Sequence, residues 1–140
     1  MTLIGIDYGS RRVGIASSDS LILATPHSVI RNEGDPDGLI ARIVRLGEEL
    51  GATGYVLGIP RRSGRHDDAI ERKFTSLAEK LRQKSCKDVV LWDESLSTVE
   101  ARERAASRGV SSRSLKDEID MQAAAVILQS YLDHQAGRTS

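Results

Sequence analysis

The chain has 140 residues, 39% of them hydrophobic, with 20 basic and 20 acidic side chains and a formal net charge of zero. That is the length of one domain with its own core, since about 68–70% of the unfolded surface is buried at this size; zero net charge removes any global field for a polyanion, so a nucleic-acid site has to come from local clustering. The lone Cys86 excludes an internal disulfide framework and a multi-cysteine zinc site, and it fits a reduced, cytosolic setting.

Leu3 to Ile6 reads as a buried strand and Val13 to Ser17 as a second, joined by a hairpin link from Tyr8 to Arg12. Leu21 to Ile30 reads as a third strand, with Pro26 placing it at an edge or bending it. Asn32 to Gly38 is a loop. Asp35 and Pro36 suit an N-cap and first helical residue, and Leu39, Ile40, Ile43, Leu46 and Leu50 follow at helical spacing before Gly51 stops the helix. Gly54 to Ile59 is a short strand ended by Pro60, and Arg61 to Asp68 is a polar, basic loop. Ala69 to Lys84 carries a helical stripe of Ile70, Phe74, Leu77, Ala78 and Leu81, and Val89 to Trp92 is the fifth strand.

Ser97-Thr98-Val99-Glu100 has the pattern of a capping box and opens a helix to about Arg108, with Gly109 as its end. Ser114 to Asp117 caps a last helix that continues through Leu132, and the tail from His134 is polar and expected to fray. The early strands can pair as an antiparallel meander, and the later ones alternate with helices, which favours parallel pairing. The expectation is an α/β domain over residues 1–133, with a mixed five-stranded sheet (three antiparallel strands, then parallel strands), helices on both faces, and a polar tail at 134–140. No charged-then-apolar leader precedes it and no apolar run nears about 18 residues, so a cytoplasmic protein with no membrane contact is expected.

Three acids stand out. Asp7 ends the first strand before a glycine turn, Glu94 follows the fifth strand next to Asp93, and Asp120 lies in an apolar helix with Ala123, Ala124 and Ile127 on its own face. Strand ends are common locations for chemistry in open α/β sheets. Side chains alternate along a strand, so at most one of Asp93 and Glu94 faces the same site as Asp7. Both also precede the helix at Ser97, where a carboxylate is stabilising without any catalytic duty. An isolated ionised Asp120 would be expensive, so it is expected to be paired, protonated or metal-bound. One reading pairs it with Arg11 or Arg12; the other makes it a metal ligand, the alanines letting its helix approach the sheet. Converging carboxylates without a cysteine cluster point to a hard divalent cation such as Mg2+.

Arg11 and Arg12 flank the first acid, Arg61, Arg62 and Arg65 crowd the loop after Pro60, and Arg102, Arg104, Arg108 and Arg113 lie further on. On one side they would hold a phosphate backbone; the plainer reading is a solvated surface, and Arg102 to Arg113 equally suit a subunit contact in a homodimer. Thr98 is a candidate phosphate contact, whereas capping already explains Ser97. His66 reads as an exposed loop histidine, Asp19 as a turn residue and Trp92 as core. At 4% aromatic content, a stacking-based single-strand binder is not expected.

Several segments together resemble one family. They are Gly5-Ile6-Asp7-Tyr8-Gly9 with Val13-Gly14-Ile15-Ala16-Ser17-Ser18-Asp19, then Gly58-Ile59-Pro60, Asp93-Glu94 with Leu96 to Ala101, and Ile119-Asp120 with Ala123-Ala124, Ile127 to Gln129 and Tyr131-Leu132. In this order they resemble the YqgF/RuvX family of pre-16S rRNA nucleases, also called Holliday-junction-resolvase-like proteins. The resemblance implies an RNase H-like fold and a nuclease dependent on Mg2+ or Mn2+, with Asp7, Glu94 and Asp120 as catalytic, metal-holding residues. It implies cytoplasmic maturation of the 5′ end of pre-16S rRNA, or action on branched DNA; the expectation for assembly is a monomer or homodimer. Two features depart from the family pattern. Ser95 stands where the family has arginine, and Gly64 follows Pro60 by four residues rather than five; Arg61 or Arg62 is expected to replace the missing phosphate contact.

Two other classes compete. An actin-like or sugar-kinase-like ATPase also opens with a strand, an aspartate and a glycine turn, but it needs two lobes and a second phosphate loop that 140 residues do not supply. A non-catalytic nucleic-acid-binding protein on a nuclease fold is favoured by zero net charge and Ser95 and opposed by the retained acids.

Overall fold

Alternation along the first strand decides the architecture. In β1 (Thr2–Tyr8), Ile4 and Ile6 are buried towards one face, while Leu3 and Gly5 turn to the other, so both faces need covering. The computed structural model describes residues 1–60, 68–93 and 112–137, with the side chains of 112–114 excepted. The helix expected from Ser97 to Arg108 lies outside the described residues.

β1 pairs antiparallel with β2 (Arg12–Ser18), which pairs antiparallel with β3 (Thr25–Arg31). On the other side β1 pairs parallel with β4 (Ala52–Ile59), and β4 with β5 (Asp88–Asp93), giving the order β3-β2-β1-β4-β5. This is the mixed five-stranded sheet expected from the element order. α1 (Pro36–Leu50) and α2 (Asp68–Ser85) cover one face, where Ile4, Ile6, Val13 and Ile15 meet Leu39, Ile43, Phe74 and Leu81. α3 (Ser112–Gln135) covers the other, packing Ala124, Ala125, Ile127 and Leu128 on Ala16 and Val56. Each fully buried large aliphatic side chain contributes roughly 1.5–3 kcal/mol, so the two layers together hold the sheet rigidly in place. No helix among the described residues is long and apolar enough to cross a membrane.

Helix ends follow their local chemistry. Asp35 and Pro36 open α1 as expected, although the Asp35 side chain makes no capping hydrogen bond. Gly51 closes α1 at φ 72°, donating its N–H to the Gly47 and Glu48 carbonyls.

Three expectations need correction. Leu21 to Leu23 are not strand: Ser20 Oγ accepts the Ile22 and Leu23 amides at 3.2 Å, and Gln129 of α3 clamps the segment through the Ala24 N–H and Ile22 carbonyl. The third strand therefore starts at Thr25, with Pro26 at a register shift against Ala16 on this edge strand. The last helix starts at Ser112, two residues before Ser114, and runs beyond Leu132 to Gln135. His134 belongs to that helix rather than to a frayed tail, and its ring lies tilted against Trp92 at 5.1 Å between centroids.

Candidate active site

β1, β4 and β5 run parallel, so Asp7, Pro60 and Asp93 emerge at the same end of the sheet. Asp7 lies opposite Gly14 of β2, and directly opposed residues share a face. That face is the one α3 covers. A Cβ on Gly5, two residues before Asp7, would come within 2.7 Å of Leu128 Cβ and 2.9 Å of the Ala124 carbonyl, and a Cβ on Gly14 would overlap the Asp120 carbonyl itself. The sheet thus presents bare backbone where α3 crosses it, and the crossing carries Asp120 over the strand next to Asp7. The alanines of α3 were expected to permit close approach; the glycines beneath them do as much.

Arg12 occupies the same face, two residues before Gly14. Its Nε donates to Asp120 Oδ2 at 2.6 Å and lies 3.9 Å from Asp117 Oδ1, one helical turn earlier. Of the two readings open for Asp120, an arginine partner is present, and it is Arg12. Arg11 stays exposed in the turn, where its carbonyl accepts the Asn32 N–H. The Asp120 carboxyl titrates above the ordinary aspartate range: burial raises it most, the Arg12 hydrogen bond and charge pull it back, and neighbouring Asp117 raises it again. Its side chain is 20% exposed and that of Arg12 27%.

This pair makes a stability prediction. A carboxyl raised in the folded state favours folding only when protonated, so ionisation of Asp120 above about pH 4 already costs some stability. Arg12→Gln removes the compensating cation and raises Asp120 further. The variant should lose about 1–3 kcal/mol at pH 7, nearer the lower figure given the residual solvent access. The deficit should shrink as the pH falls towards 4 and the raised Asp120 carboxyl of the folded protein takes up its proton in parent and variant alike. Urea melts of parent and variant at pH 7 and pH 4 measure it; a deficit of equal size at both would remove Asp120 as its cause.

The remaining candidates divide by position. Alternation in β5 puts Val89 and Leu91 against the α1 and α2 layer and Trp92 against α3, so Asp93 belongs to the face away from Asp7. Glu94, Arg61, Arg62, Arg65, His66, Ser95 and Thr98 lie outside the described residues. Glu118, which nothing in a charged helical segment marks, is buried and accepts from Gln122 Nε2 at 3.1 Å. Asp7 and Asp120 offer oxygen donors only, the chemistry a hard cation takes. No group of three or more acidic, histidine or cysteine side chains able to hold a metal is assembled among the described residues.

A family model described as RuvX, Holliday junction resolvase, matches residues 1–134. A protein of Nitratidesulfovibrio vulgaris named "Putative pre-16S rRNA nuclease" is 35% identical over 134 residues, covering 95% of this chain and 94% of the relative. One of the same name from Chloroflexus aggregans is 38% identical over 137 residues, covering 94% and 93%. Among solved structures, T. thermophilus RuvC in complex with Holliday junction substrate aligns over 99% of this chain and 97% of that one, with a TM-score of 0.56 at 15% identity. At that identity the likeness is one of fold, and the fold is RNase H-like.

Proposed function

Since this chain belongs to the RuvX family, we propose that it is a metal-dependent nuclease hydrolysing phosphodiester bonds in structured nucleic acid, with 5′-end maturation of pre-16S rRNA in the cytoplasm as its task. The observation carrying this reading is the convergence of Asp7 and Asp120 at one end of the sheet's strands, from opposite ends of the sequence, through the glycine contacts beneath α3. Relatives named for pre-16S rRNA favour RNA over branched DNA as the substrate.

In this mechanism Asp7, Glu94 and Asp120 are the residues that would hold Mg2+ or Mn2+. When bound, such an ion would supply Lewis-acid stabilisation of charge on the phosphate oxygens. Asp7 is fixed by the end of β1, and Asp120 by the packing of α3 on Gly14. Arg12 orients the Asp120 carboxylate and offsets its charge. Arg11, together with Arg61, Arg62, Arg65 and Thr98, contacts substrate phosphates, arginine being suited to them by its planar fork of donors.

The test is cleavage of an end-labelled pre-16S rRNA leader and a four-way DNA junction by the purified protein in Mg2+, Mn2+ or chelator. Metal-dependent cutting of the RNA, with mature 5′ ends, is expected. Preferential cutting of the junction would transfer the reading to branched DNA, and binding without cutting in any metal would transfer it to a non-catalytic protein on a nuclease fold.

A further inference from the structure

We propose that Arg12 and the divalent cation are alternative partners of Asp120, so that this arginine sets how tightly the free protein holds its metal; the inference rests on the metal-dependent reading above. The observation is an occupied position. Arg12 Nε donates to Asp120 Oδ2 at 2.6 Å and stands 3.9 Å from Asp117 Oδ1, so one guanidinium serves two carboxylates a helical turn apart. Among the described residues, the Asp120 carboxylate has no other hydrogen-bond or ion-pair partner.

The backbone on both sides of this contact is held in place. Arg12 opens β2, and its carbonyl accepts the Gly9 N–H at 3.0 Å. Asn32 ties the same turn from β3: its N–H donates to the Arg11 carbonyl at 2.8 Å and its Nδ2 to the Gly9 carbonyl at 2.9 Å. Asp120 is set by the seat of α3 on Gly14, two residues further along β2. What remains free to change is the pair of side chains, and the long arginine stem has the more ways to turn.

The chemistry makes the two partners compete. A guanidinium keeps its proton under all conditions in which proteins fold, so Arg12 cannot yield by losing its charge. A hard cation takes the same carboxylate oxygens. Both side chains are partly shielded from solvent, where repulsion between two neighbouring positive charges is screened least. Metal binding therefore has to part Asp120 from Arg12, and that separation weakens the affinity of the free protein. A guanidinium released in this way has its donors available for a substrate phosphate, which couples the binding of metal to that of substrate.

Two measurements without nucleic acid test this. The first is Mn2+ affinity, from the electron paramagnetic resonance signal of the free ion, at about pH 8, where protons compete little for carboxylates. Arg12→Gln should bind Mn2+ about tenfold more tightly than the parent, an ordinary size for coupling between two ligands. Arg12→Lys keeps the charge and should stay nearer to the parent than to Arg12→Gln. Arg45→Gln removes a charge from an exposed position on α1, which covers the other face of the sheet, and should match the parent. The second measurement uses the unaltered protein, so it does not depend on the stability of a variant. Heteronuclear NMR follows the Arg12 Nε–H, identified by its absence from Arg12→Lys, and Mg2+ should move it out of its hydrogen-bonded position. Parental or weaker Mn2+ binding by folded Arg12→Gln would overturn this inference alone. So would equal tightening in Arg12→Lys, or an Arg12 Nε–H signal unmoved at saturating Mg2+. Asp7→Asn separates the two levels: a parent that binds no Mn2+, or that binds it no better than Asp7→Asn does, would overturn the metal-dependent reading and this inference with it.

Discussion

Replacing Asp7 by asparagine should leave a folded protein that has lost its nuclease activity. The loss should be roughly a thousandfold or more in rate, about 4 kcal/mol of transition-state stabilisation. Asparagine keeps the size and one oxygen of the side chain but not its charge, and a hard cation depends on that charge. The fold does not depend on it to the same degree, because Asp7 holds its place through backbone pairing with Gly14 and through the buried neighbour Ile6. Circular dichroism and thermal melting should therefore match the parent. Affinity for the uncut substrate in chelator should be equal or higher, since a negative charge beside the phosphates has gone. Cleavage at the parental rate by a folded Asp7→Asn protein would sink the catalytic assignment outright.

Much of this frame was legible in the chain because hydrophobic periodicity is a local signal. β1, β2, β4 and β5 and helices α1 and α2 appear where apolar runs and stripes placed them, and Gly51 ends α1 as its position suggests. The misreading at Leu21 to Leu23 has a specific cause. Three consecutive apolar residues look like strand, yet Ile22 and Leu23 are exposed, and their conformation is set by Ser20 nearby and by Gln129, far away in sequence. The same limit applies at the site. That Asp120 needs a partner followed from its apolar neighbours. The choice of Arg12 over Arg11 is a matter of strand parity on the face α3 covers, which no local pattern records. Likewise, the end of α3 packs His134 and Tyr131 against Trp92, a contact between residues distant in the chain.

The glycines under α3 are where packing and chemistry meet, and Gly14→Ala should separate a structural loss from a functional one. The added methyl would collide with the Asp120 carbonyl and lie 3.2 Å from the Met121 nitrogen. Both are backbone atoms, so no side chain can swing aside, and α3 itself has to shift. Overpacking of this kind costs about 1–3 kcal/mol, or about 3–4 °C of melting temperature per kcal/mol at this chain length. The same shift moves Asp120 relative to Asp7, and a misplacement on the order of 1 Å can cost a hundredfold in rate. Gly51→Ala provides the comparison. Gly51 sits at φ 72° with no neighbouring atom within 4 Å of an added Cβ, so its replacement strains the end of α1 without touching the site. Both variants should melt earlier than the parent. Below the melting range Gly51→Ala should cleave normally per folded molecule, and Gly14→Ala should not. If Gly14→Ala retains the parental rate, the close crossing of α3 serves stability alone, and Asp120 does not need the position that crossing gives it.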